Sequence, residues 1–217
     1  MRLLLIRHGQ TIDNVNGVIA ATVPGPGLTE LGQQQAAAIP AALASEPIDA
    51  IYVSTMMRTR LTAEPLARAR GLQIREIDGI QEINAGELEG HSDKDAIRTY
   101  MSTIYSWWND FSARIPGGED GNDFYSRFTS AVETIASAHS GTVALFSHGA
   151  AIRTWASWSS TNLDATFSRT HPLENTAVVV VEGSPSDGWV TTYWADEPVG
   201  GAALEDADAI DPTGEAG

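Results

Sequence analysis

Two histidines in this chain of 217 residues stand in the same local setting: Arg7-His8-Gly9 and Ser147-His148-Gly149. Each follows a short apolar run, residues 2–6 and 142–146, of the kind that forms a buried strand. A glycine after each ring permits a tight turn and lets backbone approach a ligand closely. An imidazole so placed can serve as a nucleophile or move a proton near neutral pH. Taken singly, either histidine reads as readily as a satisfied polar residue at the edge of a core. Two such turns in one chain, the first carrying an arginine, favour a site. Two imidazoles and a carboxylate could in principle hold a metal, but the arginines beside them would repel a cation, so no metal is expected. His91, His139 and His171 carry no comparable pattern and read as surface or structural residues.

The motif around His8 opens an ordered series. Arg7-His8-Gly9-Gln10-Thr11 with Asn14 precedes Leu28-Thr29-Glu30-Leu31-Gly32, with Gln34 and Ala36. Ser54-Thr55-Met56-Met57-Arg58 leads to Thr62-Ala63, and Glu82 is followed by Gly86 and Glu89-Gly90. Pro116-Gly117-Gly118-Glu119 and Arg127 come next, then Ser147-His148-Gly149 and Asn175. In these blocks the chain resembles the histidine phosphatase superfamily, also called the phosphoglycerate mutase-like family, from residue 2 to about 181. The resemblance implies a phosphomonoester hydrolase for small phosphorylated metabolites, with no cofactor. It implies His8 as the covalent nucleophile, Glu82 as general acid and then base, and Arg7, Asn14, Arg58 and His148 around the phosphate. His148 would also give a proton to the transferring group.

Chemistry agrees with those assignments. Phosphoryl transfer needs a nucleophile in line with the leaving oxygen and cations around the equatorial oxygens. Arginine forks suit phosphate oxygens, and their charge disfavours an imidazolium at His8. Glu87 and Glu89 lie close to Glu82, and Glu87 is its likeliest substitute as the acid. Arg60, two residues from Arg58, faces elsewhere on a helix. The same core serves phosphoglycerate mutases, which place a basic residue after the acid and further arginines in a lid. Here Ile83-Asn84-Ala85 follows Glu82, and residues 86–115 offer only Lys94, Arg98 and Arg114 as cations, so hydrolysis is favoured over a mutase. A third reading is a non-catalytic module that binds a phosphorylated metabolite in the same cradle.

To bring these residues together, the chain must alternate strands and helices. Strands are predicted at 2–6, 50–53, 72–77, 142–146, 175–181 and 189–194, the last two as a hairpin. Helices are predicted at 29–45, capped by Thr29 and disturbed by Pro40, at 58–69 with Gly71 as its stop, and at 92–111, 122–139 and 150–157. This alternation gives a three-layer α/β sandwich, a mostly parallel central sheet with helices on both faces. Ligands in such sheets sit beyond the carboxyl ends of the strands, where both His-Gly pairs fall. Residues 92–115, rich in aromatics, form an expected helical lid. Most of those rings should fill core, with one or two at the pocket mouth.

Composition sets the remaining bounds. A net charge of −15 argues against nucleic acid or anionic membrane as a partner. No stretch approaches the roughly 20 apolar residues of a membrane helix, and residues 3–6 are too few for a signal-peptide core. There is no cysteine, hence no disulfide or thiolate site, and a cytoplasmic location is the default. The expected partner is a small phosphorylated substrate, with a homodimer left open. Seven of the acids lie from Asp196 onward, with no Lys or Arg among them. One domain is expected over residues 1–197, with 198–217 as a disordered acidic tail.

Overall fold

The apolar run after Met1 becomes strand β1 (Arg2–Arg7), whose side chains from Leu3 to Ile6 are almost wholly buried. A strand buried on both faces belongs in the middle of a parallel sheet, and β1 lies there in this computed structural model, which describes residues 1–206, 208–209 and 211–214. Its partners are β4 (Thr142–Ser147), parallel, and β5 (Val178–Ser184), antiparallel. β2 (Ile48–Val53) and β3 (Ile74–Glu76) extend the parallel side, and β6 (Gly188–Trp194) closes the antiparallel edge as a hairpin with β5. The order is β3-β2-β4-β1-β5-β6.

Alternation along the strands divides the core into two faces. Leu4, Ile6, Ile51, Val53, Ala144 and Phe146 pack with residues of α2 (Glu30–Ala42) and α3 (Met57–Arg70). Leu3, Leu5, Val143 and Leu145 pack instead with α4 (Lys94–Ser106), α5 (Gly121–Ala138) and α6 (Gly149–Ser159). The sandwich thus has its three layers. Two short helices, α1 (Ile12–Val15) and α7 (Ala165–Thr170), were not foreseen; each is too brief to show a helical period. Pro40 does not divide α2, because it falls in the final turn just before the Leu43 cap. Gly71 ends α3 in the left-handed conformation, φ 64°, as a C-terminal stop should.

Register positions the chemistry. Arg7 pairs with Ser147 on one side of β4, and Val53 pairs with Phe146 on the other. The residues that follow, His8, His148 and Ser54, therefore leave three adjacent strands at one level, at the carboxyl edge of the sheet.

The aromatics of residues 92–115 are spent on packing. Tyr100 is buried with its hydroxyl donating to the Ile83 carbonyl at 2.9 Å, and buried Trp107 donates from Nε1 to the Ala113 carbonyl at 2.7 Å. Trp108 and Phe111 gather on Trp158. Beyond residue 198 the described part of the expected tail is placed on the domain: 202–204 form a 3-10 turn, and Asp211 and Thr213 are buried. Val199 packs on the core, but beyond it contacts to polar side chains hold the segment, which is why hydropathy did not show it. The rest of that expectation, at 207, 210 and 215–217, lies outside the described residues.

Candidate active site

Beyond β1 the chain turns sharply at Gly9. A Cβ there would lie 2.7 Å from the Gly32 carbonyl oxygen, so this crossing of the first motif over the start of α2 requires a glycine. Thr29 caps α2 with its hydroxyl, which accepts from Gly32 N–H and donates to Gln10 Oε1 at 2.7 Å. Thr62 of α3 accepts the Gly9 N–H at 2.9 Å. Asn175 donates to the His8 carbonyl at 3.1 Å. Three separate segments thus fix one turn.

His8 itself is 2% exposed. Its Nδ1 lies 2.8 Å from the Gly9 carbonyl oxygen, a contact that requires a proton on Nδ1 and leaves the Nε2 lone pair unprotonated. Burial pushes its pKa well below the ordinary histidine value, and the charges of Arg58 and then Arg7 push the same way, against the bond to Gly9. The ring is therefore neutral and nucleophilic at pH 7.

Arg7 and Arg58 are both buried. Arg7 donates to the Leu173 carbonyl at 2.7 Å and pairs with Asp211. Arg58 donates from Nε to His148 Nδ1 at 3.2 Å and from Nη2 to the Ala20 carbonyl at 2.9 Å. Nε of Arg7 and Nη1 of Arg58 have no hydrogen-bond partner among the described residues. Arg58 lines the cleft that holds His8 and Glu82, and Arg7 lines the adjoining one with Asn175 and Asp211. Buried donors are nearly always satisfied, so each bare guanidinium donor can take an anion. Asn14, in the capping box of α1, accepts from Thr11 with Oδ1 and presents Nδ2 outward, here to Asp211 Oδ1 at 3.2 Å.

The ring of His148 lies 5.2 Å from that of His8, centroid to centroid. Its Nδ1 accepts from Arg58, and its Nε2 stands 2.8 Å from the Ser54 hydroxyl. In this arrangement neither nitrogen offers a proton to the cleft, and the ring fixes Arg58 instead. Burial, then Arg58, hold its pKa well below the usual value.

Glu82 is 3% exposed and faces the start of α6. Its carboxylate accepts from Ala150 and Ala151 at 3.2 and 2.8 Å, and from Ile83 at 2.9 Å. Burial raises its pKa, outweighing the bond from Ile83, the charges of Arg58 and Arg7 and the bond from Ala150, all of which lower it. A carboxyl group with a raised pKa can carry a proton nearer neutrality. Glu87 is exposed, and Glu89 is tied to the amides of Ala21 and Thr22.

The cleft is lined by His8, Asn14, Arg58, Glu82, Asp13 and Thr213, among others. No Phe, Tyr or Trp is among those lining residues. Asp13, one residue before Asn14, was not singled out from the sequence although it lies within the first motif. Burial raises its pKa. Arg127 of α5 was recognised only as part of a block. It donates to the carbonyls of Gly79, Gln81 and Glu82 at 2.7, 2.9 and 3.0 Å, with Glu119 holding its other edge. It clamps the loop that carries Glu82. Lys94 and Arg98 are exposed, and Arg114 pairs with Asp120 and Asp123. The expected shortage of basic lid residues is therefore a shortage at the cleft as well.

Residues 3–197 match the family described as histidine phosphatase superfamily (branch 1). The chain belongs to the histidine phosphatase superfamily. Among its relatives is the PE-PGRS family protein PE_PGRS11 of Mycobacterium tuberculosis, 37% identical over 95% of this chain. The chain spans only 38% of that relative's length. Phosphoserine phosphatase 1 of Hydrogenobacter thermophilus is 30% identical over 70% of this chain and 73% of its own. The probable phosphoglycerate mutase GpmB of Shigella boydii is 30% identical over 97% and 98% of the two chains. A solved mycobacterial glucosyl-3-phosphoglycerate phosphatase shares the fold, with a TM-score of 0.75, 23% identity, and coverage of 90% and 99%. No helix among the described residues is long and apolar enough to cross a membrane.

Proposed function

We propose that this histidine phosphatase hydrolyses small phosphomonoesters through a phosphohistidine on His8. One observation carries the reading: a buried, neutral imidazole, proton on Nδ1 and lone pair on Nε2, sits beside two buried arginines that each keep a bare N–H. His8 Nε2 attacks phosphorus while the ester P–O bond breaks, and Glu82 gives its proton to the departing oxygen. Arg7, Arg58 and Asn14 hold the three equatorial oxygens. Water then loses a proton to Glu82 and attacks the phosphohistidine; the P–N bond breaks and neutral His8 returns. The donor role of His148 requires Arg58 to release its Nδ1. A bound phosphate would promote that by giving Arg58 charge-assisted acceptors in place of a neutral ring nitrogen.

Hydrolase rather than mutase is favoured by what surrounds the cleft. Asp13 stands at its mouth and no cation of residues 86–115 is among the lining residues, so a second phosphate would meet acid, not base. We place the activity in the cytoplasm, where phosphorylated metabolites are formed and kept. The test is release of phosphate from p-nitrophenyl phosphate and a set of phosphorylated metabolites, with and without 2,3-bisphosphoglycerate. Steady release that is indifferent to the bisphosphate is expected. Phosphoglycerate interconversion dependent on it would show a mutase, and binding with no turnover would show a sensor.

A further inference from the structure

The place proposed for the phosphoryl group is already taken by an anion of the same chain. Asp211 accepts from Arg7 Nη2 through one carboxylate oxygen and from Asn14 Nδ2, at 3.2 Å, through the other. Thr213 adds its hydroxyl, 3.2 Å from Arg7 Nη2, and lines the cleft with His8, Arg58 and Glu82. Its carbonyl sits where a Cβ on Gly149 would come within 2.7 Å, so the segment crosses the start of α6 against bare backbone. The free volume remaining in the cleft is about 10 Å³, enough for no more than a water molecule. Farther back, Gln10 donates to Asp206 at 2.7 Å and Gln35 donates to the Leu204 carbonyl at 2.8 Å.

We propose that Leu204–Asp206 and Asp211–Gly214 form a built-in competitor, with the Asp211 carboxylate standing in for the substrate's phosphoryl group on Arg7 and Asn14. The inference rests on the reading of that cradle as the phosphate site. Arg7 Nη2 cannot bond Asp211 and a phosphoryl oxygen in the same place, so substrate enters only as the segment withdraws. A dianionic phosphate outbids a carboxylate for the guanidinium forks, yet its apparent affinity is divided by the fraction of molecules that are open. The device therefore raises KM and leaves kcat nearly unchanged, and it makes inorganic phosphate a weaker product inhibitor than the bare cradle would allow.

The experiment uses the full chain with Asp211→Asn and Asp211→Ala, and Asp208→Asn as a charge-matched control at an exposed position of the same segment. Binding of inorganic phosphate is measured by calorimetry, and KM and kcat are measured with p-nitrophenyl phosphate. If the segment is in place nine-tenths of the time, both Asp211 variants bind phosphate about tenfold more tightly and show KM lowered by about as much. The control matches the parent. Phosphate binding unchanged or weakened in the Asp211 variants overturns the proposal, as does an equal gain in the control. Tighter phosphate with no turnover in any variant leaves the competitor standing and sinks the hydrolase reading instead.

Discussion

His8 is held by two opposing demands: it must stay buried among cations to remain neutral, and its Nε2 must face a cleft. The first demand sets a pH signature. Because its folded pKa lies well below the ordinary value of about 6.5, kcat/KM should not fall as pH drops through that region; the acid limb lies lower. A steep fall centred on pH 6.5 would show an unperturbed ring. His8→Ala should abolish turnover. Glu82→Gln should slow alkyl phosphates by about 10²–10⁴-fold and aryl phosphates far less, since a phenolate leaves without much protonation. Equal slowing of both substrates removes Glu82 from the acid's role. The six residues proposed for the site could be picked out because each lies in a short linear motif. Asp211 was not, since its partner Asn14 is 197 positions away and only tertiary folding joins them.

At the scale of elements, the sheet was legible because its strands are apolar runs, and the level at which His8, His148 and Ser54 emerge follows from strand register. The loop carrying Glu82 is different. It has no regular structure beyond the short turn Gly86–Leu88, and it is held from outside by Arg127 on α5. Arg127→Ala should let that loop relax and admit water to Glu82, whose pKa then falls toward its ordinary value. The alkaline limb of the pH profile for an alkyl phosphate should shift to lower pH, while aryl phosphate turnover changes little. An unshifted limb, with both substrates slowed alike, would make Arg127 merely structural. Residues 92–115 were expected as a lid with most of its rings in core, and Tyr100 of α4 and Trp107 at its C-terminus are buried in core; composition shows how much apolar surface an element has, not which way it turns.

For the whole molecule, burying two neutral imidazoles ties stability to acidity. His8 and His148 both have folded pKa values well below their unfolded ones, so below about pH 6.5 the unfolded chain takes up protons that the native state refuses. Stability is then lost as pH falls through that window. Melting temperatures measured between pH 7 and 6 should decline, and His8→Gln should flatten the decline; the same slope in parent and variant would contradict this. Acidic residues after Asp196 read as solvated chain because little apolar surface accompanies them, but the cradle they reach is positive and holds them by charge.

A covalent relay through His8 is tested most directly by the stereochemical course at phosphorus. A phosphorothioate ester made chiral at phosphorus by sulfur and two oxygen isotopes, hydrolysed in water of the third isotope, should give chiral thiophosphate with net retention, because two in-line displacements each invert the centre. Net inversion would mean that water attacks the substrate itself, and that His8 never carries the phosphoryl group.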